Sequence, residues 1–135
     1  MSTDKERELE RTTQLRGFRY GLHDFVAEVH GVEALKKHND AIEAEYLNYQ
    51  ENLLDRKTKE LAIMVACVAL KDTVAHLQVH MHAAHKAGAS PEEILALLNL
   101  VGGWTGSLAK VRGLEAWRAT FRPDLPPIDR VVELR

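Results

Sequence analysis

One cysteine in 135 residues leaves Cys67 without an intramolecular partner, which excludes an intrachain disulfide and any dithiol redox chemistry within one chain. Set in an apolar run, Cys67 reads as a buried, inert thiol. Charge of either sign is also in short surplus. Eighteen Lys and Arg against twenty Asp and Glu give a formal net charge of -2, no basic field for nucleic acid or an anionic membrane surface. The apolar run Leu61 to Leu70 falls well short of the ~20 residues that cross a bilayer. No stretch alternates like a half-buried strand, and there is no internal repeat, low-complexity tract or linker. The N-terminus is charged rather than apolar, so no secretory signal is expected and a cytoplasmic location is. What remains is an ordinary globular composition, 45% hydrophobic and 28% charged, enough to bury a core without disulfides or metals. We expect a single domain over residues 1–135, with an N-terminal helix (1–18) and a Pro-rich tail (122–135) as extensions.

Helical periodicity runs through almost every segment. Asp4 to Phe18 reads as a charged, exposed helix, with breaks or bends at Gly17, Gly21 and Gly31. Leu22, Phe25, Val26 and Val29 form one apolar face at helical spacing, and a further helix runs from Val32 to about Tyr49. Asp55 can cap the next helix, whose run Leu61 to Leu70 is apolar all round. Such a helix belongs in the core or in a subunit interface. Another helix spans about Asp72 to Ala87, with Gly88 suited to a left-handed cap. Ser90-Pro91-Glu92-Glu93 is a capping box with proline at the first helical position, and its helix runs to about Val101. Gly102-Gly103 is expected to break the chain before a last helix carrying Leu108, Val111, Leu114 and Trp117. Three prolines keep the tail from Arg122 extended. The fold class is all-α, with about six helices.

Four of the seven histidines fall between His76 and His85. At ~100° per residue, His76 and His80 share one side of their helix, whereas His82 and His85 point nearly opposite. The apolar stripe is Val74, Leu77, Met81 and Ala84. His82 and His85 are expected to face solvent. His76 and His80 lie among small apolar side chains, where a cavity beside the rings would suit proton transfer. The same spacing also fits hydrogen-bonded core or interface histidines, or two ligands of a metal whose third would come from Glu60, Asp72, His23, His30 or His38. Glu60 stands where its helix turns from charged to apolar. It is either a first-turn acid favoured by the helix dipole or a partly desolvated carboxylate fit for acid-base work.

Leu54-Asp55-Arg56-Lys57-Thr58-Lys59-Glu60-Leu61, then His80, then Ala87-Gly88-Ala89-Ser90-Pro91-Glu92-Glu93-Ile94 resembles the carboxymuconolactone decarboxylase family, which includes the alkyl hydroperoxidase D-like proteins. The resemblance covers about residues 20 to 120. It implies a small helical bundle that assembles into homotrimers or homohexamers, and it places the family's active-site glutamate and histidine at Glu60 and His80. The thiols of the peroxidase branch would fall at Thr73 and His76. Neither is cysteine, which turns the resemblance toward the decarboxylase branch. There the implied reaction is cofactor-free, with no metal, on a carboxylated unsaturated lactone of aromatic catabolism. His80 would be the acid and Glu60 would orient it or shuttle its proton. His76, Trp104 and Arg112 would bind substrate, Arg112 as a carboxylate anchor and Trp104 as a pocket wall, although a core position also suits a tryptophan. Two alternatives stand beside the lyase: a non-catalytic oligomeric scaffold of the same fold, and a metal-dependent enzyme using His76 and His80.

Overall fold

A computed structural model describes residues 1–135. It contains seven helices and no strand, so the all-α expectation holds. No helix is long and apolar enough to cross a membrane. The chain forms two compact units, Met1–Arg56 and Lys57–Arg135.

In the first unit, α1 (Asp4–Arg16) starts in a capping box between Thr3 and Glu6 and ends on Gly17 in the left-handed conformation. The charged sequence of α1 suggests exposure, but Leu9, Thr12 and Arg16 are buried at i, i+3 and i+7. The reason is a polar seam that periodicity of apolar residues does not show. Thr12 Oγ1 donates to Asn39 Oδ1 at 3.0 Å, and Asn39 Nδ2 donates to the Glu8 carbonyl at 3.2 Å. Buried polar groups satisfied in this way fix register without a desolvation penalty. Helix α2 (Gly21–Phe25) continues as a π-helical turn over Val26–His30 and stops at Gly31, whose φ is 95°. Helix α3 (Val32–Ala41) likewise continues as a π-helical segment, Ile42–Leu47. Leu35 and Ala27, with Leu9, form the small core of this unit. The apolar face anticipated on α2 is not the buried one: Leu22, Phe25 and Val29 are 51%, 54% and 59% exposed.

The second unit holds α4 (Arg56–Ala69) from Lys57 onward, with α5 (Val74–Lys86), α6 (Pro91–Thr105) and α7 (Ser107–Phe121). Their shared core contains Met64, Val68, Leu77, Met81, Ile94 and Leu98. Burying Leu77 and Met81 completely contributes about 1.5–3 kcal/mol each relative to exposure. The expected stripe on α5 is therefore the packed one, with Val74 at its edge. Gly113 lets three helices approach closely: a Cβ there would stand 3.0 Å from Leu98 Cδ2 and 3.4 Å from Val68 Cγ1. The Ser90–Glu93 capping box and Pro91 start α6 as anticipated. The expected break at Gly102-Gly103 does not occur. Helix α6 runs through both and ends at Gly106, with φ 93°. Gly102 is buried under Lys110, where a Cβ would sit 2.8 Å from the lysine Cδ, so close packing outweighs glycine's cost of ~1 kcal/mol in a helix.

Around its circumference α4 is buried on one side only, through Glu60, Met64 and Val68. Ala62, Ala66, Ala69 and Leu70 remain exposed in this chain. The Pro-rich tail is non-helical, as anticipated, and is tied to α7. Arg118 pairs with Glu115 and donates to the Leu125 carbonyl at 2.7 Å, while Glu115 accepts from the Ile128 N–H at 2.7 Å.

Candidate functional site

The site begins in how α4 ends. Lys71 adopts φ 58°, the left-handed conformation that ends many helices. Its N–H bonds the Val68 carbonyl at 3.0 Å, and the Asp72 N–H bonds the Cys67 carbonyl at 3.1 Å. Those two bonds form a Schellman motif, usually built on glycine. The motif joins Cys67 and Asp72 through one hydrogen-bonded turn. Arg112 Nη1 donates to the Lys71 carbonyl from α7 and braces the turn.

Thr73 then starts α5. Its hydroxyl accepts from the His76 N–H at 3.3 Å, and its own N–H donates to Asp72 Oδ1 at 2.7 Å. The other carboxylate oxygen, Oδ2, hydrogen-bonds His76 Nδ1. One turn further, His80 Nε2 lies 3.1 Å from His76 Nε2, with the rings edge to face at a centroid separation of 4.5 Å. The result is a continuous chain, Asp72–His76–His80, leading from a half-buried carboxylate to an imidazole only 5% exposed.

Proton counting limits what this chain can hold. A single hydrogen bond between the two Nε2 atoms needs one donor and one acceptor. With His76 Nδ1–H directed at Asp72, His76 is neutral if it accepts from His80 and cationic if it donates. One added proton can thus reside on the pair with the Asp72 charge opposite it. Burial by itself would raise the Asp72 carboxyl, but hydrogen bonds from His76 and the Thr73 N–H, with the histidines' charge, hold it below its ordinary range. Cys67 lies beside the chain. Its thiol is pushed up by burial and by the Asp72 carboxylate, so it stays protonated and is a poor nucleophile. Its sulfur and one ring nitrogen from each of His76 and His80 all lie within 4.8 Å of one another, a donor set able to hold a metal ion.

Glu60 is wholly buried, on the same side of α4 as Cys67 two turns on. Burial agrees with a desolvated carboxylate and leaves a favourable helix-dipole contribution equally open. Arg112 is drawn to the backbone of the turn beside Asp72. Trp104, in the last turn of α6, is 87% exposed in this chain, so it does not join the core. His82 is partly covered rather than solvent-facing. His85 is exposed as anticipated, and its Nδ1 faces the Ala89 carbonyl at 2.9 Å. What spacing missed was Asp72 as the partner of His76 and Cys67 as their neighbour. The i, i+4 interval from Asp72 to His76 was the available signal.

Among known proteins, the model of the carboxymuconolactone decarboxylase family matches residues 27–119, more than half of the chain and across both units. The chain belongs to that family. No curated protein and no solved structure matches it. Within a family that includes decarboxylases, this member has Thr73 serving as a helix cap and His76 in a hydrogen-bonded chain.

Proposed function

We propose that this family member is a cofactor-free acid-base lyase that decarboxylates a carboxylated unsaturated lactone, with His80 as the proton donor. The observation that carries the reading is the Asp72–His76–His80 chain, a hydrogen-bonded path with a carboxylate at one end. In the reaction the bond from ring carbon to carboxylate breaks, carbon dioxide leaves, and the electron pair spreads over the lactone as a dienolate. An imidazolium at His80 stabilises that charge and then delivers its proton to carbon. His76 replaces the proton, and solvent restores the balance. Because both ring nitrogens of His76 are engaged, by Asp72 and by His80, its role shifts from substrate contact to relay. Glu60, which is buried, is the second carboxylate that the mechanism uses, to orient the acid or shuttle its proton. Arg112 positions the turn and offers its charge to a substrate carboxylate. Self-association as a trimer or hexamer would cover the exposed apolar side of α4 together with Leu100 and Trp104. Light scattering that finds only monomer would remove that part.

The test is carbon dioxide release from a panel of carboxylated lactones, 4-carboxymuconolactone among them. Wild type should turn over at least one. His80→Ala and Glu60→Gln should lose about 10²- to 10⁴-fold in kcat, the usual worth of a positioned acid or base, while keeping their circular dichroism. Folded variants with wild-type rates would refute the mechanism.

A further inference from the structure

We propose that Cys67, His76 and His80 form a binding site for a zinc-like transition-metal ion, with Asp72 holding His76 in its ligating orientation. The site stands on the donors themselves, whatever reaction the protein catalyses. The thiol comes from the last turn of α4 and the two imidazoles from successive turns of α5, and their donor atoms lie within 4.8 Å of one another. Around a tetrahedral zinc, at the usual Zn–N and Zn–S lengths, such atoms stand about 3.3–3.6 Å apart. The two Nε2 atoms, at 3.1 Å, are already near that spacing, so closing the site asks the donors to move by about 1 Å through side-chain rotation.

The outer contacts favour the same ion. A ligating histidine almost always gives its other ring N–H to a carboxylate or carbonyl, which fixes the tautomer and aims the lone pair. His76 does so through Nδ1 and Asp72 Oδ2. Asp72 is in turn anchored by the Thr73 N–H. One thiolate and two imidazoles select borderline-soft ions such as zinc or cobalt over magnesium or calcium, which prefer oxygen. Three protein ligands leave a fourth position open to water or a small anion.

The consequence is regulatory. An ion that takes both Nε2 lone pairs removes the hydrogen bond between the rings, so the metal-loaded and proton-relaying states exclude each other. Zinc should therefore inhibit the lyase reaction proposed above.

Cobalt titration of the untagged, metal-free full chain tests the site. One equivalent per chain should produce a thiolate-to-cobalt charge-transfer band and the visible bands of a tetrahedral ion, and one equivalent of zinc should bleach both. Cys67→Ser should abolish the charge-transfer band and weaken zinc at least 100-fold. Asp72→Asn should weaken it roughly 10- to 100-fold, and His82→Ala should bind as wild type. Should Cys67→Ser fail to fold, His76→Ala, at the half-buried start of α5, decides in its place by losing affinity. Absence of the charge-transfer band in wild type, or zinc affinity unmoved by these substitutions at Cys67 and His76, overturns the site. Because these readouts are spectroscopic, they separate failure of the metal site from failure of the lyase reading, which turnover alone decides.

Discussion

The molecule contains two pairs of adjoining histidine rings, and their surroundings are electrostatic opposites. In the first unit His23 and His38 stand 5.4 Å apart between ring centroids. Burial first, then the partner ring and Arg16 for His23 and Arg16 for His38, pushes both below the ordinary histidine value. In the second unit His76 and His80 stand 4.5 Å apart with the Asp72 carboxylate behind them. A pair beside a cation sheds its proton and serves as neutral packing. The pair beside an anion has a hydrogen-bonded route from the carboxylate to the inner ring. Ring proximity alone therefore says little about chemistry; burial and the neighbouring charge set it together.

Removing that neighbouring charge from the second pair should have the largest effect. Asp72→Asn keeps the shape of the turn but deletes the charge behind His76. Losing this charge-assisted hydrogen bond should lower kcat about 10- to 100-fold, measured as carbon dioxide release, and its worth of about 1.5–3 kcal/mol should lower the melting temperature by several degrees. A wild-type rate in this variant would erase the distinction between the pairs.

The first pair makes a prediction about stability rather than rate. Both histidines have folded values below the unfolded value of 6.5, so the unfolded chain binds more protons as pH falls through that range. Their neutral packing contributes stability that is complete above about pH 6.5 and is lost as the pH falls from there toward the folded values. Thermal melts at pH 7.5 and 5.5 should show this loss. Arg16→Met, which keeps the aliphatic stem and removes the charge, should shrink the loss but not abolish it, because burial is the larger cause. An unchanged pH dependence would show that Arg16 does not set the contrast.

The smallest effect concerns the turn that creates the second pair. Lys71 holds a left-handed conformation that costs a non-glycine residue about 1 kcal/mol or more. Lys71→Gly relieves that cost but frees the unfolded chain, so a net gain of up to about 1 kcal/mol is expected by denaturant titration. A clear loss would mean that the lysine side chain, rather than the backbone, holds the turn.

Much of the second unit was legible because its elements are locally determined. The α5 stripe, the Ser90–Glu93 box and the Gly88 stop depend on neighbours within one or two turns. The misread features depend on partners distant in sequence. Gly102 tolerates a helix because Lys110 lies over it, and Thr12 is buried because Asn39 receives its hydroxyl. The site divides the same way. The shared side of His76 and His80 followed from spacing, whereas Asp72 and Cys67 joined them through a left-handed residue that lysine does not announce. Glu60 and His80 came from family resemblance, and both are buried.

Nitrogen-15 spectra of the imidazole groups in metal-free protein at neutral pH test the relay most directly. The account predicts a protonated Nδ1 on His76, facing Asp72, and a single proton between the Nε2 atoms of His76 and His80. An unprotonated His76 Nδ1, or a proton on each of the two facing Nε2 atoms, would contradict it.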